Sequence, residues 1–220
     1  MSKFDEIASF NFDKANMSVE QAEVLRDLIV GEDASNILEL CGNPGVSTAY
    51  LAAILEDKAS GSVTTFSLRN TARPANRAVQ TLLGQADLSR RIATIPCKRS
   101  YTWALQRLLA TPDRHDFDLC YVAGHNTWDS VGISVLLVDM LLRNGGLIVL
   151  SNMDWSIGSS SYFRDRPEQT QRYDDDEIRA RPVRLAWEMI LPHLGYVPVR
   201  EFPQLGYAVA RKSQAATKGV

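Results

Sequence analysis

The chain has 220 residues, of which 45% are hydrophobic and 23% are charged, and its formal net charge is −2. This length is most simply one domain with a sizeable core, and we expect a single domain over 1–220. The balanced charge argues against a nucleic-acid surface, and no apolar run approaches the roughly 18 residues of a membrane span. We therefore expect a cytoplasmic protein whose partners include neither nucleic acid nor membrane.

The first part of the chain predicts a helical segment over 1–34 that leads into alternating strands and helices. Its main helix, 18–31, begins with a serine cap and carries an apolar stripe. Further helices are predicted at 45–57, 73–86, 100–110 and 129–143, and strands at 37–40, 61–68, 91–96, 117–124 and 147–152. The glycines of "NGG" (144–146) are expected to end the last of these helices. Five such units in sequence predict a parallel, doubly wound sheet that binds ligands at the carboxyl ends of its strands.

The amino-acid composition changes after the fifth of these strands. The segment 156–184 is polar and rich in Ser, Arg and Asp, which predicts an insertion or a lid within the domain. A helix over 184–195, interrupted or ended near Pro192, is expected next, followed by two strands within 196–212 that turn at 203–206. The predicted fold class is therefore α/β, with a doubly wound, mostly parallel seven-stranded sheet, helices on both faces and a final β-hairpin.

The three cysteines, Cys41, Cys97 and Cys120, are widely spaced and form no C-x-x-C pair of the kind that zinc sites favour. Free cysteine usually behaves as a small buried hydrophobic residue, so we expect reduced thiols in the core. Cys41 follows the first strand directly, and a ligand there would lie beside it.

The stretch "ILELCGNPGVSTAYLA" (37–52) is typical of a strand, a tight glycine-containing loop and a helix start. Such a turn is a common place for an anionic or polar ligand, because unpaired N–H groups and the helix dipole point toward it. The sequence therefore raises the question whether this loop binds a cofactor or only has the shape of a cofactor-binding loop.

Two segments and the spacing between them resemble the class I S-adenosylmethionine (SAM)-dependent methyltransferases. The stretch 37–52 is similar to the first motif of that family. The stretch "FDLCYVAGHNTWDSVGISVLLVDMLLRNGGLIVLSNMDW" (117–155) resembles the fourth strand, helix and fifth strand of small-molecule O-methyltransferases, including relatives of catechol O-methyltransferase. The resemblance implies a Rossmann-like methyltransferase fold, SAM as cofactor and a small-molecule substrate.

The resemblance implies particular contacts to SAM in the first motif. Glu39 matches the acid after strand one and would meet the ammonium group of SAM, directly or through water, while the amides of 46–48 would meet its carboxylate. Gly45 matches the last glycine of the loop, and Ser47 matches a hydroxyl at the helix start. The alternative is that Glu39 and Ser47 only order the loop and cap the helix.

This chain departs from the family pattern at several of these positions. Cys41 replaces the first glycine of the loop, Asn43 and Pro44 stiffen it, and Ser67 stands where the family places an acid for the ribose hydroxyls. After the third strand, Tyr101 or Trp103 would stack on a purine or belong to the helix core. The predicted cofactor-binding residues are Glu39, Cys41, Asn43, Gly45, Ser47, Ser67, Ser100 and Tyr101.

The metal-dependent relatives hold Mg²⁺ through carboxylates at the ends of strands four and five and a neighbouring amide. Here the corresponding residues are Ala123, Ser151 and Asn152, so only the amide remains. Because a hard divalent cation needs several oxygen ligands, the sequence predicts no metal.

His125 is the predicted general base, because an imidazole that titrates near neutrality can take a proton from a hydroxyl. The alternative is that His125 caps the following helix or only hydrogen-bonds within its loop. Asn152 is the second predicted catalytic residue, and with Asp154 and Trp155 it would orient the substrate.

Two functions remain open from the sequence. The first is a metal-independent, SAM-dependent methyltransferase that acts on a small molecule at oxygen. The second is a methyltransferase-fold protein that has lost methyl transfer and serves as a partner subunit or uses its cleft for another reaction. A homodimer or a heteromeric partner is also predicted. Phe4, Phe10 and Phe12 ahead of the first long helix need to be covered, either in a dimer or by folding over the cleft of their own chain.

Overall fold

The protein is described by a computed structural model, in which residues 1–10, 17–41, 44–68, 74–112 and 116–214 are placed. Asn43 and Phe12, which the sequence singled out, lie outside these residues. The strands are β1 (Asn36–Leu40), β2 (Ser62–Leu68), β3 (Ile92–Cys97), β4 (Phe117–Val122), β5 (Leu142–Leu150), β6 (Tyr196–Phe202) and β7 (Tyr207–Lys212). They form one seven-stranded sheet in the order β3-β2-β1-β4-β5-β7-β6. The predicted α/β class is confirmed.

The helices alternate with these strands as the sequence predicts. They are α1 (Lys3–Ala8), α2 (Val19–Gly31), α3 (Val46–Asp57), α4 (Pro74–Gln85), α5 (Tyr101–Leu109), α6 (Trp128–Asp139), α7 (Ser161–Arg164), α8 (Pro167–Thr170), α9 (Asp175–Arg179), α10 (Pro182–Leu185) and α11 (Leu191–His193). A π-helical turn, Ala186–Ile190, joins the last two. The packing of the chain divides it into two compact units, Met1–Tyr121 and Val122–Val220, and the prediction of one domain over 1–220 stays a prediction.

The first unit contains the parallel part of the sheet. β1 pairs with β2, and β2 pairs with β3, both in parallel. Its core is formed by the apolar residues of β1 and α3, in which nearly every side chain from Val46 to Leu55 is buried. α2 begins at a capping box, in which Ser18 and Gln21 each bond the other's backbone amide. The carboxyl ends of β1, β2 and β3 therefore lie at one edge, where ligands bind in this class of sheet.

The N-terminal helix α1 packs against α3 within the first unit. Asp57 accepts hydrogen bonds from the amides of Lys3 (2.7 Å) and Phe4 (2.9 Å), which supplies the acceptors that the start of a helix lacks. The ring of Phe4 is buried against Tyr50, with the Arg26 guanidinium above it. Phe4 is thus covered by its own chain, while Phe10 remains exposed.

The second unit contains the antiparallel part of the sheet. β7 pairs with β5 on one side and with β6 on the other, which confirms the predicted hairpin. A 3₁₀ turn, Pro203–Leu205, and Gly206 with φ +64° connect β6 to β7. The left-handed backbone at this turn suits glycine, because other residues pay a steric cost there.

One detail differs from the sequence predictions, and a second agrees with them. The helix predicted over 129–143 ends at Asp139, and the "NGG" residues lie inside β5 instead of capping a helix, with Gly145 at φ +76°. The helical stretch before β6 is interrupted before Pro192 and ends one residue after it, at His193, as the sequence predicts. It widens into the π-helical turn just before this proline, which accommodates the missing proline N–H.

No helix in the described part of the chain is long and apolar enough to span a membrane. The cytoplasmic location stays a prediction. All three cysteines are free and buried, as the sequence predicts, and burial raises the pKa of both Cys97 and Cys120.

Candidate functional site

The carboxyl end of β1 contains a buried carboxylate that three hydroxyl groups surround. Glu39 has 0% exposed surface. Its Oε1 accepts a hydrogen bond from Ser47 Oγ (2.5 Å), and its Oε2 accepts from Thr48 Oγ1 (2.6 Å) and Thr65 Oγ1 (2.7 Å). We call Glu39, Ser47, Thr48 and Thr65 the hydroxyl cluster. It joins β1, the start of α3 and β2, and burial of the carboxylate is tolerated because it is well hydrogen-bonded.

Two further donors extend the hydroxyl cluster toward the loop. The amide of Gly45 donates to Thr48 Oγ1 (3.0 Å). Cys41 Sγ lies 3.2 Å from Thr65 Oγ1, and since the single hydroxyl proton of Thr65 goes to Glu39, the thiol must be the donor in this pair. Cys41 therefore joins the hydroxyl cluster at the end of β1. Gly45 and Cys41, both predicted to touch the cofactor, are tied to the loop's own framework.

The first turn of α3 keeps backbone donors for a ligand. Gly45 is the N-cap of this helix, and the amides of Val46, Ser47 and Thr48 find no acceptor among the residues that the structure describes. Three such donors at the positive end of a helix dipole suit a carboxylate or a phosphate. The predicted donors of residues 46–48 are thus present, and Glu39 holds the turn that carries them.

The predicted contacts after β2 and β3 have different surroundings. Ser67 is half-buried near the end of β2, in register with Pro96 of β3. Ser100 is the N-cap of α5, where its Oγ accepts from the Thr102 amide (3.0 Å). Tyr101 is 1% exposed and packs on Phe66, with ring centroids 5.9 Å apart. Tyr101 therefore belongs to the helix core, which was the alternative to stacking on a purine.

The two predicted catalytic residues follow the strands β4 and β5. His125 and Asn152 are both exposed, and both have a left-handed backbone, with φ +57° and +61°. Histidine and asparagine are among the non-glycine residues that tolerate this region best, although it still costs energy. The side-chain amide nitrogen of Asn152, Nδ2, donates to Ala123 O (3.4 Å) and to Ser151 Oγ (3.3 Å). These bonds hold Asn152 beside the turn that follows β4.

The pKa of His125 is lowered because neighbouring atoms exclude water from its imidazole, even though the residue as a whole is exposed. The carboxylate of Asp129 opposes this effect. The N-cap of α6 is Thr127, two residues further along, so His125 does not occupy the capping position. A lowered pKa keeps the imidazole neutral near pH 7, which is the form that a general base requires.

The segment 156–184 is a folded cap in the second unit. Phe163 is its centre, with ring centroids 6.2 Å from Trp155, 5.2 Å from Tyr162 and 5.6 Å from Tyr173. Its base is closed by the Gly158 amide, which donates to Ile178 O (2.9 Å). An ion pair from Arg181 to Asp154 (2.9 Å) lies beside this bond. The predicted role of this segment as a lid stays a prediction.

The described residues contain no group of three or more His, Cys, Asp and Glu side chains that would hold a metal ion. At the ends of β4 and β5 the side chains are Ala123, Ser151 and Asn152, as in the sequence prediction. The buried Ser151 hydroxyl donates to Val122 O (3.0 Å). The side chains of Ala123, Ser151 and Asn152 carry no charge, so the two polar ones, Ser151 and Asn152, offer only neutral hydrogen-bonding groups.

Three contributors to these arrangements were missed by reasoning from the sequence. Thr65 points into the hydroxyl cluster from β2, and only the register between strands shows this. Asp129 acts on both His125 and Tyr173, whose pKa is raised chiefly by burial. Tyr173 belongs to a polar segment without periodicity, so no pattern pointed to it. The spacing of Asp129, four residues after His125 at a helix start, was the one available signal.

Comparison with known proteins places this fold among methyltransferases. No family model matches the chain, and no curated protein is similar enough in sequence to count as a relative. Among solved structures, the O-methyltransferase from Bacillus cereus in complex with S-adenosylhomocysteine (SAH) has 19% sequence identity and a TM-score of 0.63, over 96% of this chain and 90% of that one. The O-methyltransferase TomG from Streptomyces achromogenes, involved in tomaymycin synthesis and in complex with SAM, has 19% identity and a TM-score of 0.62, over 97% and 91%.

A fungal structure gives the same result. The SAH-bound methyltransferase PaMTH1 from Podospora anserina has 16% identity and a TM-score of 0.61, and the match covers 97% of this chain and 89% of that one. Identities this low show the fold alone. The seven-stranded sheet, its order and its final hairpin are therefore those of the class I SAM-dependent methyltransferase fold, of the O-methyltransferase type.

Proposed function

We propose that this protein is a SAM-dependent methyltransferase that methylates a small molecule at oxygen without a metal ion. The observation that carries the proposal is the match of nearly the whole chain to O-methyltransferase structures in complex with SAM or SAH. The polar residues at the strand ends add to this support, because they offer donors for a carboxylate and a neutral imidazole.

The residues of the first unit fit SAM in part. The amides of Val46, Ser47 and Thr48 would hold its carboxylate, and Ser67 would meet a ribose hydroxyl. Glu39 contributes by holding the first turn of α3 in place, because both of its oxygens are occupied within the hydroxyl cluster. SAM supplies an electrophilic methyl group on a sulfonium, and this chain supplies the positions of the reacting groups.

In the proposed reaction, His125 accepts the proton of an acceptor hydroxyl as its oxygen takes the methyl group. General bases of this kind contribute on the order of a hundredfold or more in rate. Asn152, held beside the turn after β4, would orient the acceptor through its amide. Mg²⁺ has no role in this proposal, so chelation by EDTA is expected to leave the turnover unchanged.

A second function is favoured by one observation, the complete burial of Glu39. If the hydroxyl cluster is only a structural support, the chain is a methyltransferase-fold protein without methyl transfer that acts as a partner subunit or uses the cleft for another reaction. The predicted homodimer or heteromeric partner belongs with this alternative as well as with the enzyme, and analytical ultracentrifugation of the purified protein tests it.

Calorimetric titration with SAM and SAH separates the two functions. Binding is expected at micromolar concentrations, and the absence of heat at high micromolar ligand with folded protein would favour the second function. Val46→Pro is a sharp probe, because proline is tolerated at the first position of a helix and removes one amide donor. It should weaken SAM binding about tenfold, as expected for one hydrogen bond to a charged group, while Val46→Ala retains the donor.

His125 is tested by turnover once SAM binding is established. His125→Asn should lower turnover by about a hundredfold, the share of a general base, and leave the SAM dissociation constant within about twofold. Asn also tolerates the left-handed backbone of this position, so the variant changes the imidazole and little else. Equal losses in turnover and in SAM affinity would assign His125 to binding instead of proton transfer.

A further inference from the structure

The cationic side chains at the two ends of the edge strand β3 differ in whether they pair with carboxylates. At its start, Arg90 and Arg91 both pair with Glu56, and Arg90 also pairs with Asp87 (2.9 Å). At its end, Lys98 and Arg99 are exposed, and no carboxylate among the described residues lies within ion-pair distance of either. The positive charge is neutralised at one end of the strand and available at the other.

A third cation reaches the same end of β3 from α5. Arg107 is exposed, and its guanidinium donates to Pro96 O at 3.4 Å, one residue before the end of the strand. Its nearness to Cys97, the last residue of β3, also shows in the effect of its charge on that thiol, which opposes the effect of burial. Arg107 likewise has no described carboxylate partner. Three cations thus surround the carboxyl end of this strand.

Beside these cations stands the most exposed tryptophan among the described residues. Trp103 is 68% exposed, whereas its neighbour Tyr101 is buried. It precedes Arg107 by four residues on α5, so the two side chains lie on one face of the helix, about 6 Å apart along its axis. An indole that is exposed to this extent presents much of its π-face for stacking. We call Lys98, Arg99, Trp103 and Arg107 the cationic tryptophan patch.

We propose that the cationic tryptophan patch binds a single phosphorylated nucleotide, with the base stacked on Trp103 and the phosphates held by Lys98, Arg99 and Arg107. A nucleotide combines a flat π-system with an anionic group, which is the combination that this patch offers. The chain's net charge is −2, and the patch covers one strand end and two helical turns, which is the size of one nucleotide and not of a polymer. The site is independent of the proposed methyl transfer.

The patch does not suit SAM, so the two binding events can be separated. SAM carries a sulfonium and an ammonium against one carboxylate, and its net positive charge opposes three nearby cations. Sites that bind a nucleoside through its ribose hydroxyls place an acid at a strand end, whereas sites for a phosphorylated ribose place a cation there. The described residues at the ends of β2 and β3, 67–68 and 97–103, include no Asp or Glu.

Calorimetry on the full-length protein with ADP, adenosine and pyrophosphate tests the proposal. ADP is expected to bind at least about tenfold more tightly than either adenosine or pyrophosphate, because each of these has only one of the two recognised groups. Adenosine that binds as tightly as ADP would overturn the phosphate role. Pyrophosphate that binds as tightly as ADP would overturn the stacking role and leave a plain anion site.

Variants locate the binding. The double variant Lys98→Ala, Arg99→Ala should weaken ADP binding about tenfold or more, and Trp103→Ala should weaken it about fivefold or more, because base stacking on an aromatic side chain contributes at least this much. The matched control is Arg164→Ala, Arg172→Ala, which removes two exposed cations elsewhere. Equal ADP affinity in the test and control variants would refute the site.

Two further measurements keep this site distinct from the proposed function. The double variant at Lys98 and Arg99 should leave the SAM dissociation constant unchanged, whereas Val46→Pro should leave the ADP constant unchanged. A ten-nucleotide single strand that binds more than about a hundredfold tighter than ADP through the same residues would replace the mononucleotide with a polymer. Loss of ADP binding in Val46→Pro would place the nucleotide at α3 and overturn the assignment to β3.

Discussion

The strand ends of the two units use polar residues in opposite ways. At the end of β1, in the first unit, the carboxylate of Glu39 is fully buried and its oxygens are occupied by three hydroxyl groups. At the ends of β4 and β5, in the second unit, His125 and Asn152 are exposed on left-handed turns, and the side-chain amide of Asn152 makes long hydrogen bonds of 3.4 and 3.3 Å. The first arrangement stabilises the fold, and the second leaves side chains available for chemistry.

This difference separates two meanings of a polar residue at a strand end. A family resemblance treats both kinds as site residues, because each follows the carboxyl end of a strand. Burial and hydrogen bonding distinguish them, because Glu39 is fully buried with both oxygens accepting hydrogen bonds, whereas His125 and Asn152 are exposed. The expected effects of substitution therefore differ in kind: free energy of unfolding for Glu39, and mainly local conformation and proton affinity for His125 and Asn152.

The largest effect is expected for Glu39→Ala. It removes a buried acceptor and leaves the hydroxyls of Ser47, Thr48 and Thr65 without it, so we expect a loss of about 3 kcal/mol in the free energy of unfolding. Urea denaturation measures this loss, with Glu23→Ala as the control, because Glu23 makes only a surface pair with Arg26 (3.6 Å). An unchanged urea midpoint in Glu39→Ala would remove the distinction between the two strand ends.

A smaller effect is expected at Asn152, where backbone and side chain can be separated. Asn152→Gly keeps the left-handed backbone at no steric cost, whereas Asn152→Ala adds a cost of about 1 kcal/mol. The difference between the urea midpoints of the two variants measures the cost of the left-handed backbone conformation at this position. If Ala is as stable as Gly at this position, the turn after β5 has relaxed out of the left-handed region and is not a fixed part of the site.

A still smaller effect is expected at the base of the segment 156–184. Asp154→Ala removes the exposed ion pairs with Arg181 and Arg184 and should cost well under about 1 kcal/mol. Limited proteolysis is the more sensitive measurement, with faster cleavage inside the segment as the expected result. Asp165→Ala is the control, since Asp165 only approaches Arg164 at 3.9 Å. Cleavage at the same rate in both variants would show that the aromatic contacts of Phe163 alone close the segment.

The finest comparison concerns the proton affinity of His125. Its pKa, measured by NMR titration and assigned with His125→Asn, is expected below the ordinary value of 6.5, because burial of the ring disfavours the charged form. Asp129→Asn should lower it further, since the carboxylate favours the imidazolium. A pKa above 6.5 in the wild type would mean that Asp129 outweighs burial and that the base is partly protonated near neutral pH.

The sign of the linked effect on stability follows from the same shift. A folded-state pKa below that of the unfolded chain means that the unfolded chain binds the proton more tightly. The contribution of His125 is therefore complete above about pH 6.5 and is lost as the pH falls through its folded-state pKa. His125→Asn should reduce this pH dependence of the free energy of unfolding, which urea denaturation at several pH values measures.

Much of the fold was predictable because its signals are local. The apolar runs of β1, β4 and β5, the capping box at Ser18 and the glycine turn before β7 each depend on a few neighbouring residues. The helix end near "NGG" was predicted wrongly, because glycine is typical both of a helix cap and of a left-handed residue inside a strand, as at Gly145. The structure places these glycines in a strand that begins at Leu142 and that pairs with β7 over residues 147–150.

The sequence alone determined the order of strands and helices, the methyltransferase-like character of the chain and the candidates at its strand ends. These follow from hydrophobic periodicity and from motifs that are continuous in the chain. The tertiary structure decided which candidates are buried supports and which are exposed. Thr65 completes the environment of Glu39 from a strand 26 residues away, and no pattern in the sequence encodes that contact. Burial and hydrogen bonding depend on packing between distant segments, and they distinguish the buried carboxylate of Glu39 from the exposed side chain of His125.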